Sequence, residues 1–260
     1  MNKKNLFKTA LLLIAALAIC LGTAVFYKYL FAWLFPLYAY EYPVSETLEY
    51  YAIEPDSLLD SLSQGKKDAF VFETTTPYGP SGSRERTVNW GQTEFLAIAN
   101  AFHEFILQEP VEDWTLHLMQ FRVDCDNIYC GFDLGSFEYY KVMRLDGEET
   151  RLVHKFTISA LDNSILSIRK ELQPAIEKWE SIDLDRIKID AEGALLIAGK
   201  YGLDAARTTD ANKCTIYLSV APQSGYDGWR VSYSGAPETK FEIRIDPFRG
   251  EYSVVKPKKR

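Results

Sequence analysis

From Ala10 to Tyr27 the chain runs for 18 residues without a charge, a proline or an asparagine. As a helix this stretch would be about 27 Å long, close to the ~30 Å hydrocarbon core of a bilayer. Lys3, Lys4 and Lys8 precede it and Lys28 follows. Basic flanks of this kind favour a cytoplasmic N-terminus. The sequence therefore predicts a single-pass membrane anchor with the rest of the chain outside the cytoplasm. A buried core helix of a cytosolic protein is the weaker reading, because the run sits at the extreme N-terminus between lysines.

A second apolar stretch, Tyr29-Leu-Phe-Ala-Trp-Leu-Phe-Pro-Leu-Tyr-Ala-Tyr40, is too short to cross back. Its Tyr and Trp rings suit the headgroup level, and Pro36 would end a helix. Residues 10–40 thus read as a lipid-contacting anchor and interfacial collar. Two other fates fit the same segment. Gly22-Thr-Ala24 resembles a signal-peptide cleavage site, although cleavage there would leave a greasy N-terminus. Leu17-Ala-Ile-Cys20 has a lipobox outline, with Ile19 where a small residue belongs. All three routes export the remainder.

After Tyr40 some 220 residues remain, enough for one large domain or two small ones. They carry all 36 acidic residues and 25 of the 29 basic ones, a net charge of −11. That balance argues against a nucleic-acid partner, which needs a basic patch. Cys125 and Cys130 bracket a four-residue segment. If the flanking strands pair antiparallel, the two cysteines face each other across a hairpin loop at a separation that suits a disulfide, and an exported location permits the bond. The alternative is two reduced thiols. Cys214 is left over.

The organisation beyond the collar is that of an α+β protein. Residues 41–91 read as a mixed linker region, with a short helix over Asp56–Gln64 ended by Gly65 and a strand over Ala69–Thr74. Residues 92–172 form a first unit. It opens with a helix near Gln92, whose Phe95, Ala99, Phe102 and Ile106 share one face. Strand alternation follows at Trp114–Leu118 and Phe156–Ala160. Residues 173–189 are a connector. Residues 190–260 form a second unit, with Asp190 as N-cap, a helix from Ala191 to Tyr201 ended by Gly202, and alternating strands at Cys214–Leu218, Trp229–Tyr233 and Phe241–Ile245. Leu96-Ala-Ile-Ala99 aligns with Leu195-Leu-Ile-Ala198, so the two units read as a degenerate duplication of one helix over an antiparallel meander.

The second unit contains Ala194-Leu-Leu-Ile-Ala198, Gly228-Trp-Arg-Val-Ser-Tyr233 and Ile245-Asp-Pro-Phe-Arg-Gly-Glu251. In that order these segments resemble a PepSY-like domain, over about a quarter of the chain. The resemblance implies that Trp229, Val231 and Tyr233 mark the strand under the helix, and that Asp246 and Gly250 make the last turn. It also implies a role in binding or restraining other proteins, with no catalytic residues. Pro247 and the long stretch between Gly202 and Cys214 depart from the shortest form of the pattern.

Tests for chemistry are negative. His103, His117 and His154 form no metal-ligand spacing and read as ordinary surface or half-buried imidazoles. There is no nucleophile elbow, phosphate loop or dinucleotide fingerprint. The sequence points to no catalytic, cofactor-binding or metal-ligating residue. The C-terminal Lys256-Pro-Lys-Lys-Arg260 is basic against an acidic body and reads as a solvated tail. The expectation is a membrane-anchored envelope protein with a non-catalytic protein-binding or regulatory role, using an exposed sheet face or edge. The rivals are an envelope hydrolase with a dispersed site and an architectural spacer.

Overall fold

The computed structural model describes residues 41–54, 58, 60, 61, 63–65, 72–76, 89–124, 131–175, 178–200, 215–220, 228–234 and 241–255. The chain divides into two compact units, Met1–Tyr42 and Pro43–Arg260. The predicted span 10–27, the collar, Cys125, Cys130, Cys214 and the basic tail lie outside the described residues. Among the described residues no helix is long and apolar enough to cross a membrane.

Pro43–Arg260 is built on one antiparallel sheet. Its strands are β1 (Tyr42–Ala52), β2 (Glu73–Thr75), β3 (Thr115–Asp124), β4 (Leu134–Leu145), β5 (Glu148–Ser159), β6 (Ser164–Gln173), β7 (Thr215–Val220), β8 (Trp229–Ser234), β9 (Phe241–Ile245) and β10 (Tyr252–Val255). They lie in the order β10-β9-β8-β7-β3-β4-β5-β6-β1-β2. The described helices are α1 (Gln92–Leu107) and α2 (Ala191–Ala198). The architecture is therefore α+β.

Sequence order and spatial order together show a two-part plan. One helix and a four-strand meander, α1 with β3 to β6, is followed by another, α2 with β7 to β10. The first strands of the two meanders pair with each other, Met119 opposite Val220 and Val123 opposite Ile216. The predicted units are thus halves of one continuous sheet.

The alternation of side chains decides which face the helices cover. One row across the sheet reads Ile165, Ile158, Gly135, Phe121, Leu218, Val231, Ile243 and Val254. All but its edge residue Val254 and the small Gly135 are large apolar side chains with no solvent exposure. Burying such a row is worth roughly 25 cal/mol per Å² of apolar surface, and α1 and α2 supply the cover. Phe95, Ile98 and Phe102 enter from α1 and Ala191, Ala194 and Ala198 from α2. The small residues of α2 let its backbone approach β8, where Trp229 is fully buried and donates its indole N–H to the Ile189 carbonyl at 2.7 Å.

Several local expectations meet the structure. The Asp190 side chain caps α2, accepting from the Gly193 N–H at 2.7 Å. Gly65 follows helical residues with φ of +68°. Asp246 accepts from the Phe248 N–H at 2.7 Å and Gly250 has φ of +72°, closing the turn between β9 and β10.

α2 is α-helical over Ala191–Ala198 and continues as a π turn through Lys200, while the expected end at Tyr201 and Gly202 lies outside the described residues. Two features differ. Within the region expected to be a mixed linker, β1 is an 11-residue strand of the main sheet. It is tied to β6 by Ile53 N–H to the Asn163 carbonyl and by the Arg169–Glu49 ion pair at 2.8 Å. Its first seven residues are exposed, so no hydrophobic period marks it. Finally, β6 runs to Gln173, into what reads as the connector.

Candidate functional site

The helices cover one face of the sheet, and no described helix lies on the opposite face. The row next to the apolar one reads Leu166, Thr157, Ser136, Gln120, Ser219, Arg230, Arg244 and Ser253. The next row on the same face carries Leu134, Arg122, Tyr217, Ser232 and Glu242. Ser136 and Thr157 share a 2.8 Å hydrogen bond across β4 and β5, which fixes them on one side. This face is hydroxyl-, amide- and guanidinium-rich. It suits a hydrated or charged partner rather than another layer of core.

The two halves of this open face differ. On β4 and β5, Lys155 and Glu138 pair at 3.7 Å. On β3, β8 and β9 stand Arg122, Arg230 and Arg244, and Arg230 lies directly opposite Arg244. Glu242 holds the Arg244 guanidinium at 2.8 Å. Like charges placed opposite each other on a sheet are destabilising.

At one end of the face the connector folds back over the strands and encloses a cleft of about 540 Å³. Tyr140, Trp179, Asp183, Arg186 and Phe248 are among its walls. Trp179 fixes the connector. Its ring stacks on His117 at 4.5 Å, the Arg151 guanidinium sits 4.3 Å from its centre, and its carbonyl accepts from the Tyr140 hydroxyl at 2.8 Å. His117 donates from Nδ1 to the Glu180 carbonyl at 2.9 Å. Arg186 lies over the Phe248 ring at 5.0 Å. These contacts make a shaped wall, with acidic and basic side chains side by side.

The strongly shifted titratable groups lie elsewhere, inside the core between α1 and β4 to β6. His103 of α1 and His154 of β5 meet Nδ1 to Nδ1 at 3.0 Å, and His154 Nε2 reaches Ser167 Oγ at 3.0 Å. Burial pushes His103 down to about 4, against a smaller upward pull from Glu109. Burial also holds His154 well below the ordinary imidazole range, with His103 and Arg169 adding to the effect. Tyr139, donating to Asn100 Oδ1 at 2.7 Å, is raised by burial. The expectation that the three histidines are surface or half-buried is corrected. His103 and His154 have no exposure and His117 has 4%. His103 is carried inward by the α1 stripe and His154 by the phase of β5, whereas His117, beside the irregularity in β3 between Leu116 and Leu118, is covered by the Trp179 ring of the connector.

The residues singled out in the second unit fall together. Trp229, Val231 and Tyr233 line one side of β8, all buried towards α2. Asp246 and Gly250 sit at the β9–β10 turn. None lies on the open face. The arginines there, Trp179 and the histidine pair carry no motif. The available signal was strand phase: once Trp229 and Val231 point inward, Arg230 must point outward. Among the described residues, no group of three or more His, Cys, Asp or Glu side chains could hold a metal ion. Comparison of the chain with protein families, curated proteins and solved structures finds no match.

Proposed function

We propose that this protein is a membrane-anchored, extracytoplasmic binding module without catalytic activity of its own, and that it engages a protein partner through the open face of its sheet. The observation that carries this reading is the one-sided cover of the sheet, where an apolar row beneath α1 and α2 alternates with a polar row that no described helix covers. The apolar run Ala10–Tyr27 with its lysine flanks supports the anchor. The resemblance of residues 190–260 to PepSY-like domains agrees with a binding or restraining role. Against a hydrolase stands the position of the strongly shifted histidines, which are walled into the core by Trp114, Phe102 and Phe156 rather than set in the cleft.

The test is a photo-crosslinking amino acid placed at Ser219 on the open face of the full-length protein in its native membranes. Leu196, exposed on α2, serves as the control position. A discrete adduct from Ser219 and none from Leu196 is the expected result. Equal labelling from both positions, or none, removes the case for the open face. Added protease should digest the body on intact spheroplasts. Protection until the membrane is permeabilised would overturn the exported placement.

A further inference from the structure

We infer that the end of the sheet at which β1 begins rests on the lipid bilayer, with the first half of β1 and the β4–β5 hairpin as the contact surface. This contact presupposes the anchored reading above and gives the folded body a lipid-facing surface of its own.

Exposed apolar side chains scattered singly are ordinary on a protein surface. Here they gather. Tyr42, Val44 and Leu48 of β1 and Val142 and Met143 of β4 are all exposed. Strand pairing brings them to one end of the sheet. Val142 lies opposite Arg151, and Arg151 lies opposite Leu172 of β6. β1 runs beside β6, with the Ile53 N–H on the Asn163 carbonyl and Glu46 paired with Lys170 at 3.3 Å, two ties equally spaced along both strands. Val44 therefore falls beside Leu172, level with Val142, and Tyr42 falls level with the Arg144–Glu149 pair. The turn at Asp146 and Gly147 reaches further still, because a strand adds about 3.4 Å per residue. Alternation puts Tyr42, Val44 and Leu48 on the same side of the sheet as Val142, and Met143 on the other. The apolar surface thus wraps the end of the sheet instead of extending the core.

Chain continuity says what covers it. The apolar collar ends at Tyr40 and β1 begins at Tyr42. Two residues span at most about 7 Å, so an anchor in lipid holds the start of β1 at the headgroup layer. With the strands rising from the bilayer, the hairpin comes down to the same layer. Tyrosine suits that depth. The charges at this end do not call for anionic lipid. Glu46 is held by Lys170 and Lys141 by Glu109, and the hairpin carries Asp146, Glu148 and Glu149 against Arg144. The contact is therefore apolar, and the surface it fits is zwitterionic.

The experiment uses the full-length protein in phosphatidylcholine nanodiscs. A fluorescent amino acid is placed at Val142, at Val44 or at Asp162, which is exposed on the β5–β6 turn at the opposite end of the same strands. The lipid carries or lacks doxyl quenchers near the headgroup, and a thermal melt checks that each variant folds. The probes at Val142 and Val44 should be quenched about twofold or more, as for an apolar surface seated at the headgroup boundary, and the Asp162 probe should not change. Added salt should leave the quenching intact. Absence of quenching at Val142 and Val44 in protein that stays with the nanodisc overturns the contact and leaves the anchor standing, whereas protein that leaves the nanodisc overturns both. Equal quenching at Asp162 overturns the placement at this end. Shielding of Val142 from aqueous iodide without lipid quenching means that a protein covers the patch, and overturns the lipid. Quenching that appears only with phosphatidylglycerol and is lost in salt overturns the apolar chemistry.

Discussion

Gln92 and Glu192, a hundred residues apart, join the N-termini of the two helices. The Gln92 backbone N–H donates to the Glu192 carboxylate at 2.7 Å, and the Gln92 side-chain oxygen accepts from the Ala191 N–H at 2.7 Å. Each helix begins with N–H groups that lack intrahelical acceptors, and here each helix satisfies one for the other. The exchange ties α1 to α2, so it joins the two halves through their helices as the β3–β7 pairing joins them through the sheet.

Glu192→Ala should therefore cost about 1–3 kcal/mol, the usual penalty for leaving a buried donor unsatisfied. Burial raises the Glu192 pKa, with Asp190 and Glu94 adding to the rise and the backbone donors opposing it. A carboxyl raised in the folded state contributes stability that is present below its unfolded value and lost as pH climbs through the folded one. Glu192→Gln keeps an acceptor oxygen, should cost less than about 1 kcal/mol at neutral pH, and should remove that decline. Urea titration of the detergent-solubilised chain, followed by tryptophan fluorescence at several pH values, measures both.

Gly131 and Gly135 bracket the entry to β4 and tolerate no side chain for different reasons. At Gly131 φ is +84° and an added Cβ would lie 2.9 Å from the Trp90 backbone nitrogen, with the Trp90 carbonyl closer still. At Gly135 the added atom would lie 2.6 Å from Cδ1 of the buried Phe95 ring. Gly131→Ala meets immovable backbone and a left-handed conformation together and should cost at least about 2 kcal/mol. Gly135→Ala can be relieved by moving Phe95 and should cost about 1–3 kcal/mol, recovered in part by Phe95→Leu. Urea titrations of the single and double variants give the comparison.

Which parts of this fold could be read from sequence follows from how each residue is used. α1 was legible because Phe95, Ala99 and Phe102 repeat at helical spacing on a face that is buried throughout. β7 was legible because Ile216, Leu218 and Val220 alternate with partly exposed residues. β1 was not, because its exposed first half removes the period. β4 was hidden differently. Its inward side begins with Gly135, which has no side chain to signal strand, and its end carries exposed Val142 and Met143. The continuous sheet was invisible because β3 and β7 are separated by α2 and three whole strands, and pairing over that distance leaves no local trace. The open-face arginines were within reach of strand phase, but a lone arginine between apolar residues reads as ordinary surface until its neighbours across the sheet are known.

Trp179 should act as the pin of the connector. Its contacts with His117, Tyr140 and Arg151 hold the middle of that segment to β3, β4 and β5, together with the Ile182 N–H to the Leu116 carbonyl and the His117 contact with the Glu180 carbonyl. Trp179→Ala should destabilise by about 2 kcal/mol, less than a fully buried ring because Trp179 is partly accessible. It should also speed proteolysis near Lys178 and Arg186 several-fold. Trp179→Phe should restore protection, since stacking on His117 survives. Limited trypsin digestion with mass mapping separates local release from global unfolding: cuts confined to the connector support the pin, and cuts spread over the sheet refute it.

The histidine pair makes the fold acid-labile with a defined sign. His103 is held at about 4 by burial, and His154 is depressed by burial, by His103 and by Arg169. Both are therefore neutral in the folded protein at a pH where the unfolded chain, with ordinary values near 6.5, has begun to take up protons. The unfolded state binds more protons below about pH 6.5, so stability rises with pH in that range and falls on acidification. For His103 alone the loss between pH 7 and pH 4 is on the order of 3 kcal/mol. The geometry adds a limit. With Nδ1 facing Nδ1 at 3.0 Å, one ring must donate and the other accept, and two protonated rings would set two donors against each other. The groups around the pair cannot offset this. Glu109 is held by Lys141 at 3.0 Å, Arg169 is paired with Glu49, and Tyr139 donates to Asn100. His103→Phe fills the same space between Trp114 and Tyr139 without a proton site, and should make the stability profile from pH 6.5 to 4 less steep, leaving the share that the buried His154, still beside Ser167, contributes. Urea midpoints across that range decide it, and a slope as steep in the variant as in the parent would mean that the lability arises elsewhere.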